Sequence, residues 1–195
     1  MMRKGRMEAF SHGVFAIIIT IMVLEFKVPA HGHELNALIP LTPFFLSYIL
    51  SFVYVGIYWN NHHHMHYLVS SINGSALWAN LFLLFWLSLI PFGTEWMAAN
   101  HFARVPVAAY GFLLLMCGGA YVILARILAR QGGVESELAQ ALGSDRKGKL
   151  SLLIYVIAIV MAWWLPVPAC ILYAIVACIW FIPDTRIEKK VLKDN

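Results

Sequence analysis

The run FSHGVFAIIITIMVLEF, residues 10–26, is apolar enough to enter a membrane, yet it retains Ser11, His12, Thr20 and Glu25. Crossing a hydrocarbon core takes about 20 predominantly apolar residues. Six runs approach that length, at about 8–26, 43–66, 76–98, 105–130, 150–165 and 168–183. A bilayer offers no water to unpaired backbone groups, so runs of this kind must close their hydrogen bonds as helices. The expected fold is an all-α membrane protein with six transmembrane helices, forming a single domain over residues 1–195. Composition argues the same way. The chain is 61% hydrophobic and 12% charged, whereas soluble domains carry roughly 45–50% apolar and about 25% charged residues. So much apolar side chain must meet lipid.

Charge then orients the spans. If six helices alternate, the N-terminus, the 66–75 and 131–149 loops and the C-terminal tail share one side. With their edges they hold 12 of the 14 Lys and Arg residues, and only Lys27 and Arg104 fall opposite. Such a bias places both termini in the cytoplasm. The basic residues punctuate apolar spans instead of covering one face, so the net charge of +4 is no nucleic-acid footprint. The last two spans are separated by LPVP, and Pro166 and Pro168 cannot continue a helix, which predicts a tight hairpin. Within 131–149, SELAQALG reads as a short interfacial helix closed by Gly143. Cys117, Cys170 and Cys178 lie inside apolar runs and read as small core residues. The first run ends in LEFKVP, not in a small-residue cleavage site, and reads as a retained helix.

At about 100° per residue, Gly13, Ile17, Thr20, Ile21 and Leu24 form one stripe of the first helix, while His12, Phe15, Ile19, Met22 and Phe26 lie opposite. Repeated around a symmetry axis, the stripe would form apolar rings with one hydroxyl layer beside them. A plainer alternative is an ordinary packed helix with Thr20 bonded back to its own backbone. Periodicity alone favours the packed helix.

The pattern R-x-x-x-F-S at Arg6, Phe10 and Ser11, running into GVFAIIITIMVLE, resembles the first-helix signature of the transmembrane protein 175 potassium-channel family. That signature reads R-x-x-x-F-S-D, followed by an apolar run with threonine that closes on VLE. The likeness implies a homotetramer whose pore is lined by the first helix, in the plasma membrane of a prokaryote. It implies a hydrophobic constriction at Ile17, Ile21 and Leu24 and selectivity for potassium at Thr20; Ile17 is expected to form the narrowest ring, because a turn of β-branched side chains closes a small bore firmly. No TVGYG-type carbonyl filter occurs in the chain, which excludes a conventional potassium filter. Where the family carries aspartate, this chain has His12. A neutral imidazole can bridge a donor and an acceptor but cannot neutralise Arg6. Glu8 is the nearest substitute in sequence.

WNNHHHMH, residues 59–66, admits three readings. By the resemblance, Trp59 and His62 or His63 hydrogen-bond to the Ser11–His12 region and brace the pore helix. Otherwise the segment is a polar helix end at the interface. Third, His62 and His66 at i, i+4 hold a divalent metal, which is disfavoured because no Cys, Asp or Glu stands nearby in sequence; no metal is expected. Glu25 marks a pore mouth where repeated carboxylates would concentrate cations, or else a residue of the head-group layer. Glu95, Arg104, His31 and His33 read as solvated loop residues. No Ser/His/Asp set, Walker loop or dinucleotide fingerprint points to an enzyme.

The expected function is passive, potassium-selective conduction through a central pore, with no cofactor and with K+ as the permeating ion. Its partners are the bilayer and copies of itself. The alternatives are a secondary transporter of a cation or proton, which would need inverted repeats or broken helices absent from this reading, and a His-rich membrane metalloprotein.

Overall fold

In the computed structural model, described over residues 4–29, 34–69, 72–131, 138–139 and 146–181, the chain is all-α. The helices are α1 (Lys4–Leu24), α2 (Thr42–Tyr67, entered through a 3₁₀ turn at Leu35–Leu41), α3 (Gly74–Ser88), α4 (Ile90–Ala99), α5 (Arg104–Gln131), α6 (Arg146–Ala162) and α7 (Pro166–Phe181). Among the described residues, four segments are long and apolar enough to span a membrane: Lys4–Leu24, Leu35–Tyr67, Gly74–Ala99 and Arg104–Gln131. Helices α6 and α7, with 17 and 16 residues, extend only about 25 Å at 1.5 Å per residue. His31, His33, Gly143 and most of the expected interfacial helix lie outside the described residues, as does the basic C-terminal tail.

Helices α3 and α4 form one bent rod, where the sequence pointed to an unbroken span. Pro91 has no N–H to offer the Leu87 carbonyl, and the chain turns at Leu89, whose N–H reaches Trp86 O at 3.2 Å. The expected absence of broken helices is therefore wrong for this span. The LPVP hairpin is also placed differently. Its turn is Trp163–Leu165, and Pro166 and Pro168 sit in the first turn of α7, where a proline costs no intrahelical bond. Glu95 and Arg104, expected in loops, lie within α4 and at the start of α5. His101 and Phe102 carry φ of 47° and 58° and turn the chain between these helices.

Helix α1 starts beside the end of α2, where Lys4 Nζ donates to the His66 and Tyr67 carbonyls at 3.2 and 3.3 Å. A cation suits those terminal carbonyls. The other end of α1 meets the start of α2, with the Phe26 and Phe45 rings 4.7 Å apart. Alternation along the remaining helices brings Lys4, Arg6, Arg126, Arg130, Lys147 and Lys149 to one end of the bundle and leaves Lys27 and Arg104 at the other. Helix α7 runs back along α6 to the basic end, where Trp180 Nε1 donates to Ser151 Oγ at 2.8 Å.

Helix α5 is central, packing on α3, α4, α6 and α7. Two polar chains tie it to its neighbours inside an apolar core. In one, Thr94 donates to Ile90 O at 2.7 Å, which leaves Ser51 to donate to Thr94 at 2.6 Å and Tyr110 to donate to Ser51 at 2.8 Å. In the other, Tyr155 donates to the Tyr54 hydroxyl, Tyr54 to Tyr173 O at 2.6 Å, and Tyr173 to Val107 O at 3.2 Å. Every hydroxyl has a partner, as a dry interior requires. Small residues permit the close crossings, with Ala108, Ala120, Ala158, Ala169 and Ala177 all buried. At Gly111 of α5 an added methyl would overlap the Tyr173 hydroxyl and crowd Ile159.

Gly111→Ala is therefore expected to force α7 and α6 off α5, with a loss of about 1–3 kcal/mol, the usual cost of overpacking. Thermal unfolding of detergent-solubilised protein measures this; an unchanged midpoint would show that the crossing is not tight.

Candidate functional site

Helix α1 has one buried and one open face in the single subunit. Met7, Ser11, Phe15, Ile18 and Met22 are buried against α2, α3 and α4. Gly13, Ile17, Thr20, Ile21 and Leu24 point outward. Ile17 is 58% exposed and Leu24 77%, values that belong to a surface awaiting lipid or protein. Thr20 Oγ1 donates to Ile17 O at 2.9 Å, as in the plainer sequence reading. That bond uses the hydroxyl proton and leaves the oxygen lone pairs facing outward.

The buried face is fixed by a directional bridge. His62 Nε2 donates to Asn80 Oδ1 at 2.8 Å, Asn80 Nδ2 donates to Ser11 Oγ at 2.9 Å, and Ser11 donates to Met7 O at 2.8 Å. All three side chains are essentially inaccessible, at 0–1% exposure. The bridge joins α1, α2 and α3, and its donor order selects the His62 tautomer and the Asn80 orientation. His66 packs against His62 with ring centroids 4.1 Å apart and planes tilted by 31°, and donates Nδ1 to His62 O at 2.7 Å. These bonds use one nitrogen of each ring, and the metal reading of this i, i+4 pair gains no third ligand among the described residues.

The sequence argument did not single out Asn80, although the signal was present. It is the amide in the apolar run ALWANLFLLFWL, and a lone amide in such a helix must find a partner or be costly. Ser11 meets His62 only through this amide. His12 makes ring contacts instead, with Trp59 at 6.1 Å and His63 at 6.0 Å between centroids. His63 Nδ1 lies 3.0 Å from Glu8 Oε1, so a carboxylate does stand beside the histidine run, contrary to the sequence expectation. It comes from α1, one turn before His12, and no local window on α2 could reveal it. Arg6 and Phe10 are exposed and take no part in the described contacts of this cluster.

At the opposite end Glu25 and Glu95 come within hydrogen-bonding reach and line a small cavity with Met22, Phe26 and Tyr48. Glu95 is thus a companion of Glu25 and not a loop residue.

The family model described as "Endosomal/lysosomal potassium channel TMEM175" matches residues 6–91. A protein named as a potassium channel from Chryseobacterium sp. (strain P1-3) is 55% identical over 194 residues, covering 100% of both chains. Another, from Chamaesiphon minutus, is 30% identical over 188 residues, 88% of this chain and 91% of its own. The crystal structure of a lysosomal potassium-selective channel TMEM175 homolog from Chamaesiphon minutus superposes with a TM-score of 0.78 at 26% identity, covering 93% of this chain and 97% of that one. Similarity that runs the length of the chain in both sequence and fold leaves one assignment: this protein belongs to the TMEM175 potassium-channel family.

Proposed function

We propose that the chain is a potassium-selective channel of the prokaryotic cell membrane, in which four copies set α1 around a common axis and K+ passes without cofactor or covalent chemistry. The observation that carries this reading is the open stripe of Ile17, Thr20, Ile21 and Leu24, opposite a face locked by the Ser11–Asn80–His62 bridge. A helix so anchored has one rotational setting, and symmetry then repeats its open stripe around the axis. Ile17 forms the narrowest ring, with Ile21 and Leu24 above it, and such apolar rings gate by dewetting. Thr20 supplies a ring of hydroxyl oxygens between them, and Glu25 draws cations to the mouth. The whole chain acts as one six-helix domain with both termini in the cytoplasm, a placement supported by the basic residues gathered at one end.

The bend at Pro91 is the one feature that favours a transporter, because broken helices often bind substrate. Its hydroxyl neighbours, Ser51, Thr94 and Tyr110, saturate one another, but Pro91 and Thr94 also line the small cavity that holds Glu25 and Glu95, the ionisable groups a cation or proton carrier would need. Conduction is the better reading because the relatives that match along the length of the chain are named potassium channels.

Potassium flux into proteoliposomes, with sodium and protonophore controls, tests the proposal. Ile17→Ala is expected to raise K+ flux by about tenfold for each 1.4 kcal/mol removed from the barrier. An unchanged rate would remove Ile17 from the constriction, and uptake that follows a proton gradient would favour the transporter. Thr20→Val keeps the volume and deletes the oxygen. Its reversal potential under opposed K+ and Na+ gradients should move toward that of a non-selective pore; a wild-type value would end the role given to Thr20.

A further inference from the structure

Glu8, His12 and His63 each bring one ligand atom, a carboxylate oxygen or an imidazole nitrogen, to within 4.8 Å of the other two. Glu8 and His12 lie one turn apart on α1, and His63 comes from the facing turn of α2. Two of the three are already in register, with Glu8 Oε1 and His63 Nδ1 3.0 Å apart. The third has no competing bond at one nitrogen, since His12 Nε2 is buried without a hydrogen-bond partner. In a tetrahedral zinc site with ligand distances near 2.0–2.1 Å, neighbouring donor atoms stand roughly 3.3 Å apart. Small side-chain rotations, on the order of 1 Å, bring this set to that spacing.

Trp59 supports the imidazoles. Its ring lies nearly parallel to that of His63, at 16° and 6.4 Å, and against that of His12 at 6.1 Å. Lys4, one turn before Glu8, does not occupy the carboxylate, because its ammonium is bonded to the His66 and Tyr67 carbonyls. His63 is 46% exposed in its side chain, so an ion can enter from solvent, and a water can complete the coordination.

We propose that Glu8, His12 and His63 form a binding site for a zinc-class divalent cation, which clamps the first turns of α1 to the end of α2. Two imidazoles and one carboxylate suit Zn2+, Co2+ or Ni2+ better than Mg2+ or Ca2+, which favour all-oxygen shells. His12 gives this chain its nitrogen-rich set, because the family signature carries aspartate there. The two α1 ligands, His12 and Glu8, lie about 7.5 and 13.5 Å along the α1 axis from Ile17, at 1.5 Å per residue. The site rests on the α1–α2 geometry alone and stands whether or not the chain conducts potassium.

The test is Zn2+ titration of chelator-stripped, tag-free, full-length protein by calorimetry, repeated with Co2+ to read the absorption of a tetrahedral complex. One ion per subunit is expected for wild type and for the control His64→Ala, which removes a neighbouring histidine outside the set. Glu8→Gln and His12→Ala should each weaken Zn2+ binding by about 100-fold or more, beyond the 10–100-fold cost of losing a supporting contact. Zn2+ should also raise the thermal midpoint of wild type, because it binds the folded state, and leave that of His12→Ala unmoved. Wild-type affinity in Glu8→Gln, a near-isosteric change that should fold normally, would overturn the site, as would the absence of Zn2+ binding to wild type.

Discussion

The Asn80 amide spans two helices that apolar packing alone would leave free to rotate. In an apolar interior a helix such as α1 presents similar side chains in most directions, and lipid tails are as apolar as leucine. Van der Waals contact holds such a helix without specifying its rotation strongly. The amide changes this, because its oxygen accepts from His62 and its nitrogen donates to Ser11. A turn of α1 in either direction would leave buried donors and acceptors without partners, at about 1–3 kcal/mol each. The outward direction of Ile17, Thr20, Ile21 and Leu24 follows from that bridge, as does the approach of Glu8 and His12 to His63.

The rest of the bundle serves as a scaffold for the same arrangement. The Tyr110–Ser51–Thr94 chain fixes α2 and α4 on α5, and the Tyr155–Tyr54–Tyr173 chain fixes α6 and α7 on α2 and α5. Both run to backbone carbonyls, so the proton order along each has a defined end. The bend after Ser88 contributes here. Released from a straight path, α4 carries Thr94 to Ser51 and carries Glu95 to Glu25 at the C-terminal end of α1.

Periodicity was informative where a helix has two unlike sides, and silent where meaning depends on a contact distant in sequence. The α1 stripe was readable because bulky branched residues recur at helical spacing: positions 13, 17, 20, 21 and 24 are all open, and the open face is wider than the stripe, taking in Phe10, Ala16 and Val23 as well. The alternation of the spans was readable because charge is counted, not placed. Asn80 was legible in kind, as a lone amide in an apolar run, but not in partner, since Ser11 lies 69 positions away. The carboxylate beside His63 comes from 55 positions away, and for that reason the histidine run looked unaccompanied. The prolines of LPVP marked the hairpin but not its exact place: the turn is Trp163–Leu165, and Pro166 and Pro168 begin the next helix. Pro91 likewise stands in the first turn of α4, so each of these prolines opens a helix, and the break that it marks lies just before it.

The bond from Thr20 to Ile17 O bears on how one residue can be both a structural hydroxyl and an ion ligand. A hydroxyl that donates into its own helix is held in one rotamer, and its oxygen then faces away from that bond with two lone pairs unused. On the proposed pore reading, such an oxygen is a better cation ligand than a freely rotating one. Its proton cannot swing toward the ion, and no rotamer freedom remains to be lost when the ion arrives. Valine has the same shape without the oxygen, so the β-branched volume that keeps the ring narrow separates cleanly from the dipole that recognises the ion. The back-bond expected of an ordinary packed helix is, in this geometry, the device that would aim the lone pairs at the axis.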